Sequence, residues 1–234
     1  MPNTFVLVHG AWHGGWCWRR VADRLERQGH KVFTPTLTGL GERSHLIGGD
    51  IELATHVADV VNLVKWEGLT DIVLVGHSYA GMVVNEVAER IGPSIASIVF
   101  LDAFLPQPGE SLATLASPVT KKALEDATAD GDTTIKPIAS VAFGVNEADH
   151  AWVDGLCVPH PLATMTGKAT GVAGREGIAR KTYIRAAAYS SPSFDLCLGR
   201  AKAAPGWKTY EVPCGHDVMV DMPDRLAEIL LEVA

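Results

Sequence analysis

The chain has 234 residues, 47% of them hydrophobic, with a formal net charge of −7 and a pI of about 5.7. That much apolar material builds one substantial core, so a single domain over 1–234 is expected. The acidic balance argues against nucleic acid or an anionic membrane as the main partner, and no apolar run reaches bilayer-spanning length. The first strand candidate begins almost at the start methionine with no basic leader ahead of it, so a cytoplasmic location is expected. Cys17, Cys157, Cys197 and Cys214 are widely spaced, without a Cys-x-x-Cys pair or a histidine in metal spacing, which predicts free thiols.

In chain order, apolar runs predict strands at 4–9, 31–35, 71–76 and 96–101. Helical periodicity separates them at about 17–29, 51–66 and 79–91. Asp50 is expected to cap the second helix, and Gly29 and Gly92 stand where helices stop. Alternating strands and helices predict a mostly parallel sheet covered on both faces. After Pro106 the rhythm breaks, and 107–177 carries helix fragments with many Ala, Thr and Gly and no buried strand. Such an insertion reads as a small helical lid rather than a second domain. Strands resume at 181–184 and 208–212, with helices near 194–203 and from Pro223, for about six strands in all.

Residues 71–81 carry the strongest signal. Ile72 to Val75 read as a buried strand, Gly76-His77-Ser78 follow without a spacer, and Met82, Val83, Val87 and Ile91 mark one face of the next helix. A serine at such a corner is lifted above the sheet edge, with the positive end of a helix aimed at any negative charge forming there. Its duller role would be a helix cap. Ser78 is therefore the candidate nucleophile. In a Gly-x-Ser-x-Gly pattern the last position is Ala80 here, with Gly81 one residue later, and both are small enough for a helix passing close to its neighbours.

His9-Gly10-Ala11-Trp12-His13-Gly14-Gly15-Trp16 follows the first strand. Attack on an ester carbonyl creates an oxyanion, which two fixed N–H donors stabilise by several kcal/mol. The expected donors are the main-chain amides of Ala11 and Tyr79, with Gly10 allowing close backbone approach. His9 and His13 are read as hydrogen-bonding the loop backbone rather than a metal, because no carboxylate lies near them in sequence.

Taken together, residues 9–18, 37–45, 75–81 and Cys214-Gly215-His216-Asp217 resemble the bacterial esterase branch of the α/β-hydrolases, related to plant methylesterases and hydroxynitrile lyases. The motifs cover both ends of the chain, and 107–177 matches only loosely. The resemblance implies an α/β-hydrolase fold and a cofactor-free serine hydrolase with a helical lid over an apolar pocket. It makes His216, after the last strand and before the last helix, the base that takes the Ser78 proton. The usual place of the acid, just past 182–184, holds Arg185-Ala186-Ala187-Ala188-Tyr189-Ser190-Ser191-Pro192 and no carboxylate. Two candidates stay open. Asp102 ends the strand at 96–101 as the only acid in an apolar run and would need a partner if buried; Asp195 stands where the next helix should start, where capping also suits it. Asp217 is poorly placed to reach the ring of its own neighbour.

Trp12, Trp16, Trp18 and Trp152 with Tyr79 are candidates for an aromatic pocket wall, core packing being the alternative for Trp16 and Trp18. Gly10, Trp12 and Trp152 are the named pocket residues, and Leu112, Leu115, Val141, Phe143 and Leu156 would add apolar lid surface. Such a pocket favours small to medium esters with an apolar acyl or aryl part. His77 is expected to pack inward or to hold a loop; for His150 and His160 on the lid, solvent exposure is the simpler reading and contact of one of them with substrate the alternative. A lyase on the same scaffold is the first alternative. The related plant lyases have Thr or Asn where Gly10 stands, and the threonine type has Lys where Asp217 stands. A non-catalytic receptor is the second, and it usually loses the serine, the histidine or the oxyanion glycine, all present here. The expected partner is a small-molecule ester, with no nucleic acid, membrane, metal or cofactor, and a homodimer stays open.

Overall fold

A computed structural model of the chain describes residues 2–234. The first part runs β1 (Thr4–Val8), α1 (Arg19–Arg27), β2 (Lys31–Phe33), α2 (Leu53–Trp66), β3 (Ile72–His77), α3 (Ala80–Ile91) and β4 (Ile95–Leu101). An insertion follows, with α4 (Leu112–Leu115), α5 (Pro118–Ala129), β5 (Thr134–Ile135), α6 (His150–Leu156), β6 (His160–Pro161), α7 (Leu162–Thr166) and α8 (Ala173–Glu176). The chain closes with β7 (Arg180–Ala186), α9 (Pro192–Ala203), β8 (Trp207–Val212), α10 (Val218–Asp221) and α11 (Pro223–Val233).

Six strands pair in parallel in the order β2-β1-β3-β4-β7-β8, and helices flank the sheet, α1 packing on α11 and α2 on α3. The central strands β1, β3 and β4 read as nearly continuous apolar runs because a parallel sheet is covered on both faces. Phe5 to Val8, Ile72 to Val75 and Ile98 to Leu101 are almost wholly removed from water. Each such side chain contributes roughly 1.5–3 kcal/mol of burial. The insertion shares this core through Leu112, Leu124, Phe143, Val153 and Met165. It also holds one feature not expected there, the short antiparallel pair of β5 with β6.

Two capping expectations are corrected. Helix α2 is capped by Glu52 in a reciprocal box with Thr55, two residues beyond Asp50. Ser191 occupies the cap position of α9, which begins at Pro192, so Asp195 lies inside the first turn. All four cysteines are unpaired. No helix among the described residues is long and apolar enough to cross a membrane.

Candidate active site

Strands β3 and β4 lie side by side with His77 opposite Leu101, so Ser78 and Asp102 emerge at neighbouring strand ends. Both turn sharply, with φ of 55° at Ser78 and 40° at Asp102. A left-handed conformation at a residue with a Cβ costs about 1–2 kcal/mol and persists only where its surroundings hold it. Here the Ser78 amide donates to Leu101 O at 3.2 Å, Phe104 N donates to Ser78 O at 3.1 Å, and Asp102 N donates to Ile184 O at 2.6 Å. The departure from the Gly-x-Ser-x-Gly pattern has a steric cause. A Cβ on Gly81 would sit 2.0 Å from Phe104 O, so the obligatory glycine of this elbow is at 81, and position 80 tolerates alanine.

His216 stands in the connection from β8 to α10, and its amide donates to Phe143 O at 2.8 Å. Its ring stacks on Phe194, with centroids 5.0 Å apart, and touches Tyr189 and Phe143. Nδ1 donates to Asp102 Oδ2 at 2.6 Å, which leaves Nε2 as the acceptor of the ring. Asp102 is fully buried, and its other oxygen accepts from Arg185 Nη1 at 2.8 Å and Ala186 N at 3.1 Å. Arg185 is the last residue but one of β7, at a strand end where no carboxylate occurs. Its remaining donors go to Ala186 O and Tyr189 O, each at 2.6 Å, and to Asp195. Of the two acid candidates, Asp102 therefore faces His216. The Asp195 side chain is 64% exposed and binds Arg185 at 2.9 Å.

Ser78, Tyr79, His216, Ala11 and Trp12 open onto one cavity of about 760 Å³, walled by Phe104, Leu112, Phe143, Met165 and Phe194. Several pocket expectations fail. Trp152 lies away from this wall, packing edge-on against Trp16 at 5.3 Å under the Arg20 guanidinium. Trp18 is core, and Val141 and Leu156 turn outward to solvent. Gly10 sits behind the serine rather than on the cavity wall, and a Cβ there would come within 2.9 Å of Ser78 Cβ.

A layer of buried histidines backs the site. His9 Nδ1 donates to Gly10 O at 2.8 Å and His13 Nδ1 to Ala11 O at 2.7 Å, the loop bonds expected of them. His13 nevertheless has a carboxylate partner. Its Nε2 reaches Asp217 Oδ2 at 3.1 Å, a contact across 204 positions that local spacing cannot reveal. Burial alone would push the Asp217 carboxyl up, and His13 outweighs it and holds the group below the usual carboxylate range. The same pair, against the cost of burial, raises His13. His77 packs inward, its Nε2 donating to His216 O at 3.1 Å, and burial with the adjacent His216 keeps it neutral. Burial lowers His9 to about 3 and His56 to about 4. His160, expected in solvent, is wholly buried, whereas His150 is half-buried and binds Val145 O. His77, His216 and Asp217 offer ligand atoms within 4.8 Å of one another, but His216 Nδ1 and Asp217 Oδ2 are engaged by Asp102 and His13.

A parallel sheet with a strained serine between strand and helix, and a histidine after the last strand facing the same cavity, is the architecture of an α/β-hydrolase. The chain belongs to the alpha/beta hydrolase family, whose model matches residues 5–229. It is 44% identical over 236 residues to a carbendazim hydrolyzing esterase of Nocardioides sp., covering 97% of this chain and 98% of that protein. Methylesterase 10 of Arabidopsis thaliana is 29% identical over 255 residues, covering 99% and 92% of the two chains. An extracellular alpha/beta-hydrolase from a Paenibacillus species, described as sharing homology with a tobacco salicylic acid binding protein, superposes with a TM-score of 0.83 at 25% identity, covering 100% of this chain and 99% of that one. The chain is thus an ester-cleaving hydrolase of the branch that includes plant methylesterases.

Sequence reasoning passed over Arg185, Phe194 and Tyr189. The one available signal was a cation at the strand end where a carboxylate was sought.

Proposed function

We propose that this protein cleaves carboxylic esters through an acyl-enzyme on Ser78, with His216 as base and Asp102 as the acid that orients it. The observation that carries the reading is the 2.6 Å bond from His216 Nδ1 to a fully buried Asp102, beside a left-handed serine on the same cavity. Ser78 Oγ attacks the carbonyl while His216 Nε2 takes its proton, and Asp102 stabilises the resulting imidazolium. The oxyanion lies between the Ala11 and Tyr79 amides, neither of which has a main-chain partner among the described residues. Collapse of the tetrahedral adduct sends the His216 proton to the leaving alkoxide, and water then releases the acid by the same steps reversed.

The apolar cavity supports small to medium esters with an apolar acyl or aryl portion, with residues 107–177 acting as its lid within a single domain. Carbendazim, for which the Nocardioides relative is named, belongs in the first substrate panel. Four unpaired cysteines support work in a reducing cytoplasm. Lyase chemistry is disfavoured by two local facts. There is no free space for a side chain at position 10, and Asp217, where a lysine would serve a lyase, is buried against His13.

Ser78→Ala should lower hydrolysis of p-nitrophenyl butyrate by several orders of magnitude with the fold retained, and a fluorophosphonate should label only Ser78. Turnover that survives the substitution sinks the serine mechanism. Cyanide release from mandelonitrile that outpaces every ester and depends on Ser78 would favour the lyase.

A further inference from the structure

The two peptide planes around Ala11 are held in place by three buried histidines, one of which comes from the insertion. In the plane joining Gly10 to Ala11, Gly10 O accepts from His9 Nδ1 at 2.8 Å. A trans peptide points its C=O and N–H in opposite directions, so this bond turns the Ala11 N–H away from His9. The next plane, joining Ala11 to Trp12, is tied at both ends. Ala11 O accepts from His13 Nδ1 at 2.7 Å, and Trp12 N donates to His160 Nδ1 at 3.3 Å. Trp12 has φ of 65°, a conformation that a bulky residue does not hold unaided.

The donors and acceptors of all three rings balance. His9 donates through Nδ1 and accepts Leu37 N through Nε2 at 3.1 Å, so it is neutral. His13 donates from both nitrogens, to Ala11 O and to Asp217, which suits a charged ring. His160 Nε2 faces Thr164 Oγ1 at 2.8 Å, and that hydroxyl gives its own proton to Pro161 O at 2.7 Å. The proton of His160 must therefore sit on Nε2, and Nδ1 is free to accept from Trp12. His160 also stands edge-on to the Tyr79 ring, with centroids 4.8 Å apart. It thus contacts Tyr79, one of the two expected donor residues, and Trp12, the neighbour of the other. Two more bonds join Trp12 to the insertion, Trp12 Nε1 to Ile135 O at 3.1 Å and Val158 N to Trp12 O at 3.0 Å.

We propose that His160 is a positioning residue for the oxyanion hole, accepting the Trp12 amide so that the strained Trp12 holds the Ala11 N–H on the cavity, and that the insertion thereby sets the donor geometry. This rests on the serine-esterase reading. It does not require His160 to touch substrate. The hole is complete only while β6 is seated against the loop after β1.

The test compares His160→Phe, which keeps a ring but loses the acceptor, with His160→Asn, whose Oδ1 falls near the place of Nδ1. We would measure kcat and KM on p-nitrophenyl butyrate, inhibition by an alkyl boronic acid that forms a tetrahedral adduct on serine, and thermal melting. In His160→Phe, kcat falls about 10- to 100-fold, short of the loss from deleting an oxyanion donor outright. KM stays within about twofold, and the boronic acid weakens by about the same factor as kcat. His160→Asn regains most of both. An unchanged kcat in a folded phenylalanine variant, or a loss confined to KM or to melting temperature, overturns the assignment. If the phenylalanine variant does not fold, His160→Ala against His160→Asn decides, and an asparagine variant no more active than alanine overturns it. Absence of fluorophosphonate labelling at Ser78 in the unaltered protein removes the serine mechanism and this assignment with it. Labelling that persists while kcat does not respond removes this assignment alone.

Discussion

Replacing Asp102 by Asn separates the two acid candidates, and the structure fixes how the new side chain must sit. Arg185 Nη1 and Ala186 N both donate to Asp102 Oδ1, at 2.8 and 3.1 Å. Only the amide oxygen of an asparagine can accept them, so its NH₂ group must take the place of Oδ2, 2.6 Å from His216 Nδ1. There it donates to Nδ1 and forces the ring proton onto Nε2, the nitrogen that has to accept the serine proton. The fold keeps its contacts while the base is locked in the wrong tautomer and the imidazolium loses its counter-charge. The expected loss in kcat is up to about 10⁴-fold, or about 5 kcal/mol of transition-state stabilisation. Asp195→Asn is the internal control. Its side chain is 64% exposed and reaches Arg185 only, so kcat should stay within about threefold of the unaltered protein. The assay is kcat on p-nitrophenyl butyrate, with the rate of fluorophosphonate labelling and a thermal melt to show that the variants are folded. A folded Asp102→Asn enzyme within tenfold of the unaltered one, or equal losses in both variants, refutes the assignment.

Gly10→Thr is expected to lower ester hydrolysis at least about tenfold without creating a lyase, because the new Cβ meets Ser78 Cβ at 2.9 Å and His77 Nδ1 at 3.0 Å. Retained esterase activity together with cyanide release from mandelonitrile would contradict that steric argument. The buried histidines give a pH prediction of definite sign. Burial holds His56 at about 4 against 6.5 for a free ring, so between these values the unfolded chain binds a proton that the folded one refuses. Stability is then complete above pH 6.5 and falls as pH drops toward 4, by about 3 kcal/mol from His56 alone, with His9 adding to the loss in the same direction. A melting temperature that stays flat from pH 7 to pH 4.5 would show that these rings are not buried and neutral.

How much could be read from the sequence depended on how far each feature is set by its neighbours. The central strands were legible because β1, β3 and β4 are short apolar runs, and the elbow because strand, serine and amphipathic helix are contiguous over 72–91. The insertion was not. Helices of four to seven residues such as α4, α6 and α7 are too short to show a period, so nothing marked which of their side chains face inward. Trp152 and His160 were therefore misjudged in opposite senses, one placed in the pocket and the other in solvent. The pairing of His13 with Asp217 was hidden for another reason. It joins the loop after β1 to the loop after β8, and only the assembled fold brings them together.

The same sheet accounts for the carboxylate that stands at an unexpected strand end. In the paired register Leu101 of β4 lies opposite Ile184 of β7, so Asp102 and Arg185 occupy equivalent next positions on adjacent strands. Neighbouring strands are about 4.8 Å apart, less than the reach of an aspartate and an imidazole combined. A carboxylate at either end can meet a histidine descending from the loop after β8, and the choice between strands is then made by what supports the carboxylate. At β4 that support is unusually complete. Asp102 takes the Arg185 guanidinium and the Ala186 amide on one oxygen and His216 on the other, so a buried charge has partners on both sides. A carboxylate in place of Arg185 would remove that cation and set two acids side by side at the sheet edge. The arginine near the end of β7 is thus the physical counterpart of the aspartate that follows β4, and replacing Arg185 alone would take from the buried carboxylate its guanidinium partner.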